Sequence, residues 1–402
     1  MTTRENNHQG EIPETPDMDG RVSYAGKNVC RQLDFFHHSS TIIPIANMYD
    51  IGIVGAGPAG ATLARLLADR YRVLLLDNGR QKCCGAILAP ESQAALAKFD
   101  LALPQQVLVD PQPSAVSIMD WDNHLVRHYA RQYINIDRAA FDRWLVSLIP
   151  QTVDIRNNAS YQKSESNGEG WIIHFKENDE PKTAQVRRLV GADGAFSTVR
   201  REFFPSVPPP KCYIAPQQWF EQDAIVINRK FDIDIWNNYV GIFDSTLTDY
   251  YIWMIPKCRR LILGGAFPLG INISSAMQTV KRKLETFGLQ LGTPFKREAA
   301  QIVRPLRQSD FCFGDARIIL VGEASGLISP SSAEGISSAL ISAFYLAEAF
   351  QQSDFDPALY RRLLRNRLWS LRLKRFKIPL MYQPRLRKIV LLSRLTAIRN
   401  KK

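Results

Sequence analysis

Residues 50–60 read Asp50-Ile51-Gly52-Ile53-Val54-Gly55-Ala56-Gly57-Pro58-Ala59-Gly60, a short apolar run that closes in a glycine turn. Five residues of this kind form a buried strand, and Ala59 to Asp69 then continues at helical spacing. Arg72-Val73-Leu74-Leu75-Leu76-Asp77 is a second buried strand. Strand, helix and strand within about thirty residues make a right-handed βαβ unit with parallel strands. In such a turn Gly55 permits the tight reversal, Gly57 lets a pyrophosphate approach the backbone, and Gly60 lets the helix pack on the strand. Pro58 and Ala59 open the helix, whose first N–H groups face the phosphates. Asp77, at the end of the second strand, is placed to accept ribose hydroxyls, and Asn78 beside it joins the cofactor-binding set.

Outward from this unit the pattern changes. Residues 115–135, 152–175 and 213–270 carry short β-type runs rich in Ile, Val, Tyr and Trp, which read as antiparallel strands with one packed face. Arg138 to Leu148 reads as a helix, Ile318 to Val321 as another buried strand, and about Gly335 to Phe350 as a long helix. The expected fold is α/β: a doubly wound nucleotide domain with an interleaved antiparallel β substrate domain and a helical C-terminal tail. The nucleotide domain is assigned to residues 48–110, 136–204 and 300–356, the substrate domain to 111–135 and 205–299, and the tail to 357–402. Residues 1–47 are polar and without period and read as a disordered extension, with Met48 an alternative start.

Composition narrows the class. Hydrophobic residues are 45 % and charged residues 22 %, as in a globular protein with a sizeable core. No run approaches the roughly 18 apolar residues of a spanning helix, and the acidic N-terminus is no secretory signal. The six cysteines form no CxxC pair and read as reduced thiols, so a cytoplasmic location is expected. His37 and His38 are the only paired histidines, and no metal site is expected. From Pro357 onward there are fifteen Lys or Arg and no Asp or Glu, more than the whole chain's net +12. The basic character therefore belongs to the tail. There Tyr360, Leu363, Leu364, Leu368 and Leu371 share one helical face opposite Arg361, Arg362, Arg365 and Arg372, with Arg367 interrupting the apolar side. Such a helix suits either the surface of an anionic membrane, on its inner face, or packing against the body with solvated arginines. Nucleic acid is not an expected partner.

Two later segments separate the possible dinucleotides. Leu189-Val190-Gly191-Ala192-Asp193-Gly194, continuing to Ser197 and Arg200, resembles the GADG-x-x-S-x-x-R segment of group A flavoprotein monooxygenases and their relatives. Ile319-Leu320-Val321-Gly322-Glu323-Ala324-Ser325-Gly326, then Pro330 and Glu334-Gly335-Ile336, resembles their GDAAG…P…GEGI segment. Arg138 matches the R-x-x-F-D-x-x-L pattern of the same superfamily. The resemblance implies FAD as cofactor, with Arg138 near its phosphates, Asp193 at its binding loop and Gly322 and Glu323 at the ribitol chain. The helix after Gly335 and Ile336 would point its positive end at the flavin pyrimidine. Glu323 stands where that superfamily usually has Asp.

Lys82-Cys83-Cys84-Gly85 resembles the K-x-CGG segment of the geranylgeranyl reductase family, with Ala86 in place of the second glycine. Tyr251-Ile252-Trp253-Met254-Ile255-Pro256-Lys257, then Gly264-Gly265, is similar to that family's Y-x-W-x-F-P-K…G segment. Length and the Gly85–Pro90 run are most similar to its bacterial CbrA branch. The resemblance implies Lys82 and Gly85 at the cofactor, and Tyr251, Trp253 and Pro256 at a hydrophobic or lipid-like substrate. Cys83 or Cys84 would donate a proton or pack against the ring. It implies reduction of carbon–carbon double bonds of an isoprenoid, with NAD(P)H or reduced ferredoxin as donor. The rival readings are a monooxygenase, a halogenase in which Lys82 carries the halogen, and a membrane-associated flavin redox sensor without turnover.

Overall fold

The computed structural model describes residues 48–353 and 356–393. The expected disordered extension, Cys30, His37 and His38, and the last nine residues lie outside this range. Two sheets organise the described residues. In the first, Asp154–Arg156, Val73–Leu76, Tyr49–Val54, Glu180–Gly191 and Ile318–Leu320 run parallel to one another in that order. Tyr49–Val54, Val73–Leu76 and Ile318–Leu320 are buried almost throughout, as expected where helices cover a parallel sheet. Helices Pro58–Leu67 and Ile336–Ser353 pack on one face, around Ile51, Ile53, Leu63, Leu75, Leu340 and Leu346.

The long strand Glu180–Gly191 has two partners in succession. Its last residues pair parallel with Tyr49–Val54, whereas Glu180 to Val186 pairs antiparallel with Trp171–Glu177, which pairs in turn with Ala159–Ser166. Residues 154–177 thus extend the first sheet, with Asp154–Arg156 parallel to its neighbour.

In the second sheet the strands run Phe267–Pro268, Lys211–Glu221, Arg260–Gly265, Ile252–Lys257, Asn238–Phe243, Ala115–Asp120 and Leu125–Tyr129, with Lys296–Arg304 also paired to Lys211–Glu221. All pairs are antiparallel except Asn238–Phe243 with Ala115–Asp120. Side chains alternate between the faces of a strand, and here the alternation divides two functions. Ile252, Met254, Val240, Ile242, Leu261 and Leu263 bury themselves under helix Ile273–Phe287. Their neighbours Tyr251, Trp253, Ile255, Tyr239 and Gly241 point the other way, toward the first sheet.

The basic tail forms helices Pro357–Leu363, Arg365–Tyr382 and Pro384–Leu392. Tyr360, Leu364 and Leu371 of the apolar face read from the sequence are buried against the body. Arg367, which interrupts that face, is itself buried and donates to Ser337 and Ser338 Oγ, each at 2.6 Å. The face expected to suit a membrane is therefore the one that packs.

Candidate functional site

A continuous cavity of about 1670 Å³ lies between the two sheets. Drug-sized ligands occupy roughly 300–1,000 Å³, so there is room for a dinucleotide and a second molecule.

One end is built by the first βαβ unit. Gly55 has φ +103, and a Cβ there would stand 2.7 Å from the Ala192 carbonyl oxygen. A Cβ on Gly60 would collide with the carbonyl of Gly55, whereas one on Gly57 would meet nothing within 4 Å. The glycines thus serve separate ends: two allow close packing and the middle one leaves open backbone toward the cavity. Helix Pro58–Leu67 begins without a side-chain cap, leaving its first N–H groups available to an anion. Gly55, Gly57, Pro58, Ala59, Asp77 and Asn78 line this end. Asp77 Oδ1 accepts from Gly79 N at 3.0 Å and Asn78 Oδ1 from Arg80 N at 3.0 Å, turning the chain toward Lys82.

Two distant segments converge on the same space. Asp193 is half-buried, with Oδ2 accepting from Thr198 N at 2.7 Å and Val199 N at 3.3 Å, while the buried Oδ1 has no partner. Burial raises its pKa, against the lowering effect of these bonds. Glu323 sits on the turn Gly322–Ser325, its Oε2 2.5 Å from Lys82 Nζ and its Oε1 unpartnered. Arg200 ties the two segments by donating to the carbonyls of Ala324 at 3.3 Å and Asp310 at 2.9 Å. Gly322 lies behind the lining, its N–H bonded to Ser342 Oγ at 3.0 Å. Gly335 and Ile336 line the cavity at the start of helix Ile336–Ser353. Arg138 lines it as well, bonded through Nε to Asp142 at 2.9 Å. Burial alone would lower the Arg138 pKa, but Asp142 holds it up.

Cys83, Cys84 and Gly85 cross from this cradle to the second sheet. A Cβ on Gly85 would collide with the Ile255 side chain, so the glycine lets the loop lie flat on the sheet. Ala86, where the reductase family has glycine, has φ +50, a left-handed conformation that costs a Cβ-bearing residue about 1–2 kcal/mol. Both cysteines are free thiols. Burial, and next the Glu298 carboxylate, push the Cys83 thiol up to about 12.

The far end is apolar and aromatic. Tyr251, Trp253, Tyr239, Ile118, Phe243 and Ile302 line it, and the Tyr251 hydroxyl donates to the Ser332 carbonyl at 2.9 Å. The Trp253 Nε1 has no partner, and the indole lies over Gly264, where a Cβ would stand 2.5 Å from that nitrogen. Pro256, expected at the substrate, is absent from this lining. It falls on the opposite phase of the strand from Tyr251 and Trp253, and its carbonyl accepts from Asn135 Nδ2 at 2.8 Å.

Several residues that build the site were not singled out by sequence. Lys257 is buried and donates to Asn135 Oδ1 at 2.5 Å, the Ile136 carbonyl at 2.7 Å and the Ala86 carbonyl at 2.9 Å. It pins the cysteine loop to the sheet. Burial pushes its ammonium down to about 7, opposed by the nearby Cys84 sulfur. Lys257 ends the aromatic segment in phase with Tyr251, Trp253 and Ile255, so alternation along the strand turns it to the same face. Arg304 donates to the Pro330 carbonyl at 2.8 Å and stacks on Tyr250 and Tyr382 at 4.2 and 4.5 Å. Through Tyr382, Met381 and Leu391 the tail completes the lining.

A doubly wound nucleotide domain and an antiparallel sheet sharing one cavity define the architecture of the FAD-dependent oxidoreductases. Residues 53–117 match the NAD(P)-binding Rossmann-like domain family. The chain is 38 % identical over 357 residues to protein CbrA of Escherichia coli O9:H4 (strain HS), covering 86 % of this chain and 93 % of that protein. It belongs to the CbrA family. Among solved structures it is similar to a geranylgeranyl bacteriochlorophyll reductase-like protein from Thermoplasma acidophilum. That match has a TM-score of 0.70 and 20 % identity, and covers 86 % of this chain and 91 % of the other. PqsL, a probable FAD-dependent monooxygenase from Pseudomonas aeruginosa, matches with a TM-score of 0.63 and 17 % identity, over 86 % and 100 % of the two chains. At these identities the structural matches speak for the fold. Among the described residues no group of His, Cys, Asp or Glu could hold a metal ion, and no helix is long and apolar enough to cross a membrane.

Proposed function

We propose that this chain is an FAD-dependent oxidoreductase that reduces carbon–carbon double bonds of an isoprenoid or similar lipid-like substrate. The observation that carries the reading is the continuity of one cavity from a phosphate-ready helix end to a chamber walled by Tyr239, Phe243, Tyr251 and Trp253. Open backbone at Gly57, the unpartnered oxygens of Asp193 and Glu323, and the guanidinium of Arg138 are the donors and acceptors a dinucleotide needs. Gly55, Gly57, Ala59 and Arg138 would hold its phosphates, Asp77 its ribose, and Glu323 and Gly335 the flavin end.

FAD bound here and reduced by an electron donor such as NAD(P)H would supply the hydride that an isolated alkene requires. Tyr251, Trp253 and Tyr239 orient an apolar chain, and their faces exclude water from the reacting carbons. The other carbon needs a proton, and the Cys83–Cys84 step offers it. Cys83, with its pKa raised, keeps its proton throughout the neutral range and yields it only to a strongly basic centre. Lys257 holds the loop carrying both thiols against the sheet. Lys82 is engaged with Glu323, which leaves it poorly placed as a halogen carrier.

The test is anaerobic turnover of dithionite-reduced protein with a polyprenyl alcohol, followed by mass spectrometry. Products heavier by pairs of hydrogens are expected. An unchanged alcohol, together with oxygen-dependent hydroxylation of an aromatic compound, would replace this reading with a monooxygenase.

A further inference from the structure

The packed face of helix Arg365–Tyr382 runs from its N-cap Leu364 through Arg367, Leu371 and Lys374. On the outer side Trp369, Leu373, Phe376 and Leu380 recur at i, i+4, i+7 and i+11, one continuous stripe. All four are exposed, Trp369 by 59 % and Phe376 by 76 %. The adjoining helix Pro384–Leu392 adds Ile389, exposed by 64 %, with Val390 and Leu392. Contiguous exposed apolar surface of this kind marks a contact site.

Charge and position say what covers it. Arg365, Arg372, Lys377, Arg385 and Lys388 are exposed around the stripe, and no acidic residue occurs anywhere from Pro357 to the end. At its far end the stripe enters the cavity: Leu380 and Val390 line both the exposed face and the chamber, next to Met381 and Leu391. We infer that this face docks on an anionic lipid bilayer, with Trp369, Leu373 and Phe376 dipping among the acyl chains and the cations meeting lipid phosphates. The cavity then opens toward the apolar layer, so a lipid-like molecule can pass in along Leu380 and Val390 without crossing water. Aromatic and aliphatic residues ringed by Lys and Arg are the pattern of helices lying in the interface plane. A second copy of the chain would set cation against cation here.

Docking does not depend on the chemistry inside the cavity, and its test is independent of turnover. Full-length protein is centrifuged with vesicles of phosphatidylcholine alone or with one-third phosphatidylglycerol. The protein is expected to pellet with the anionic vesicles at low salt and be released as salt screens the cations. Trp369→Ser/Phe376→Asp should weaken partitioning about tenfold or more, since buried apolar area supplies the anchoring. Arg365→Gln/Lys388→Gln should weaken it roughly thirtyfold on anionic vesicles alone. Flavin content should equal wild type in both, because none of the four residues lines the cavity. The inference is overturned if the intact protein stays in the supernatant at low salt, or if Trp369→Ser/Phe376→Asp pellets as well as wild type. It is equally overturned if vesicle-free sedimentation shows a dimer that the same pair of changes dissociates.

Discussion

The Lys82 ammonium lies 2.5 Å from Glu323 Oε2 and bridges segments 241 residues apart. The loop after the second strand and the turn Gly322–Ser325 are thereby held on either side of the cavity. Glu323 is one carbon longer than the aspartate that the flavoprotein superfamily usually has there, and the extra reach accompanies the ion pair. Its second oxygen remains free for a ligand hydroxyl.

Removing that carboxylate should weaken FAD. Hydrogen bonds to charged groups contribute about 1.5–3 kcal/mol, so Glu323→Ala should raise the FAD Kd roughly tenfold to a hundredfold. Glu323→Asp should cost only severalfold. Titration of apoprotein by flavin fluorescence quenching distinguishes the two, and equal affinities would remove Glu323 from the site.

Gly264 gives the indole of Trp253 its place. Gly264→Val puts a branched side chain where the ring lies, at 2.5 Å from its nitrogen. Overpacking of this kind costs about 1–3 kcal/mol and should displace the ring into the chamber. The expected readout is a lower thermal midpoint and impaired turnover, with FAD affinity unchanged because the cradle is built on the other sheet.

The pH behaviour of Cys83 follows from its environment. A raised thiol pKa means that the folded state holds the proton more tightly than the unfolded one, so thiolate is scarce until the pH approaches about 12. In Cys84→Ser protein, iodoacetamide labelling of the peptide bearing Cys83 should stay slow from pH 7 to 10, rising only with unfolding. The sign for stability is the same: the favourable contribution is full below the unfolded value near 9 and is lost as pH climbs toward the folded one.

Arg387 anchors the last helix. Its guanidinium donates to Asp120 at 2.8 Å and to Asp122, and these groups are almost fully buried. Burial would lower the Arg387 pKa, but the two carboxylates raise it. Arg387→Ala leaves both carboxylates without their partner and should cost about 3–5 kcal/mol. Faster proteolysis within the tail and a lower melting temperature are the measurements. Asp120→Asn combined with Arg387→Met should recover part of the loss.

Much of this architecture was readable from local pattern. The unit around Gly55, Gly57 and Gly60 announces itself because a glycine turn between a buried strand and a helix admits few folds. Asp193 and Glu323, placed by their motifs, do reach the same cavity. What stayed hidden depends on tertiary partners. The tail's periodicity showed two faces, but only the body decides which of them is covered. Lys257 and Arg304 carry charges that composition assigns to the surface, and their burial follows from carbonyls supplied by distant loops. Pro256 was taken with its neighbours, although alternation along a strand sends it to the other face.

The most direct test of the account is the flavin content of the purified full-length protein, before and after incubation with FAD and gel filtration. The account predicts a yellow protein carrying one FAD per chain, and loss of that colour when Gly60→Val drives the first helix off its strand. A colourless chain that still fails to retain FAD after incubation would contradict it.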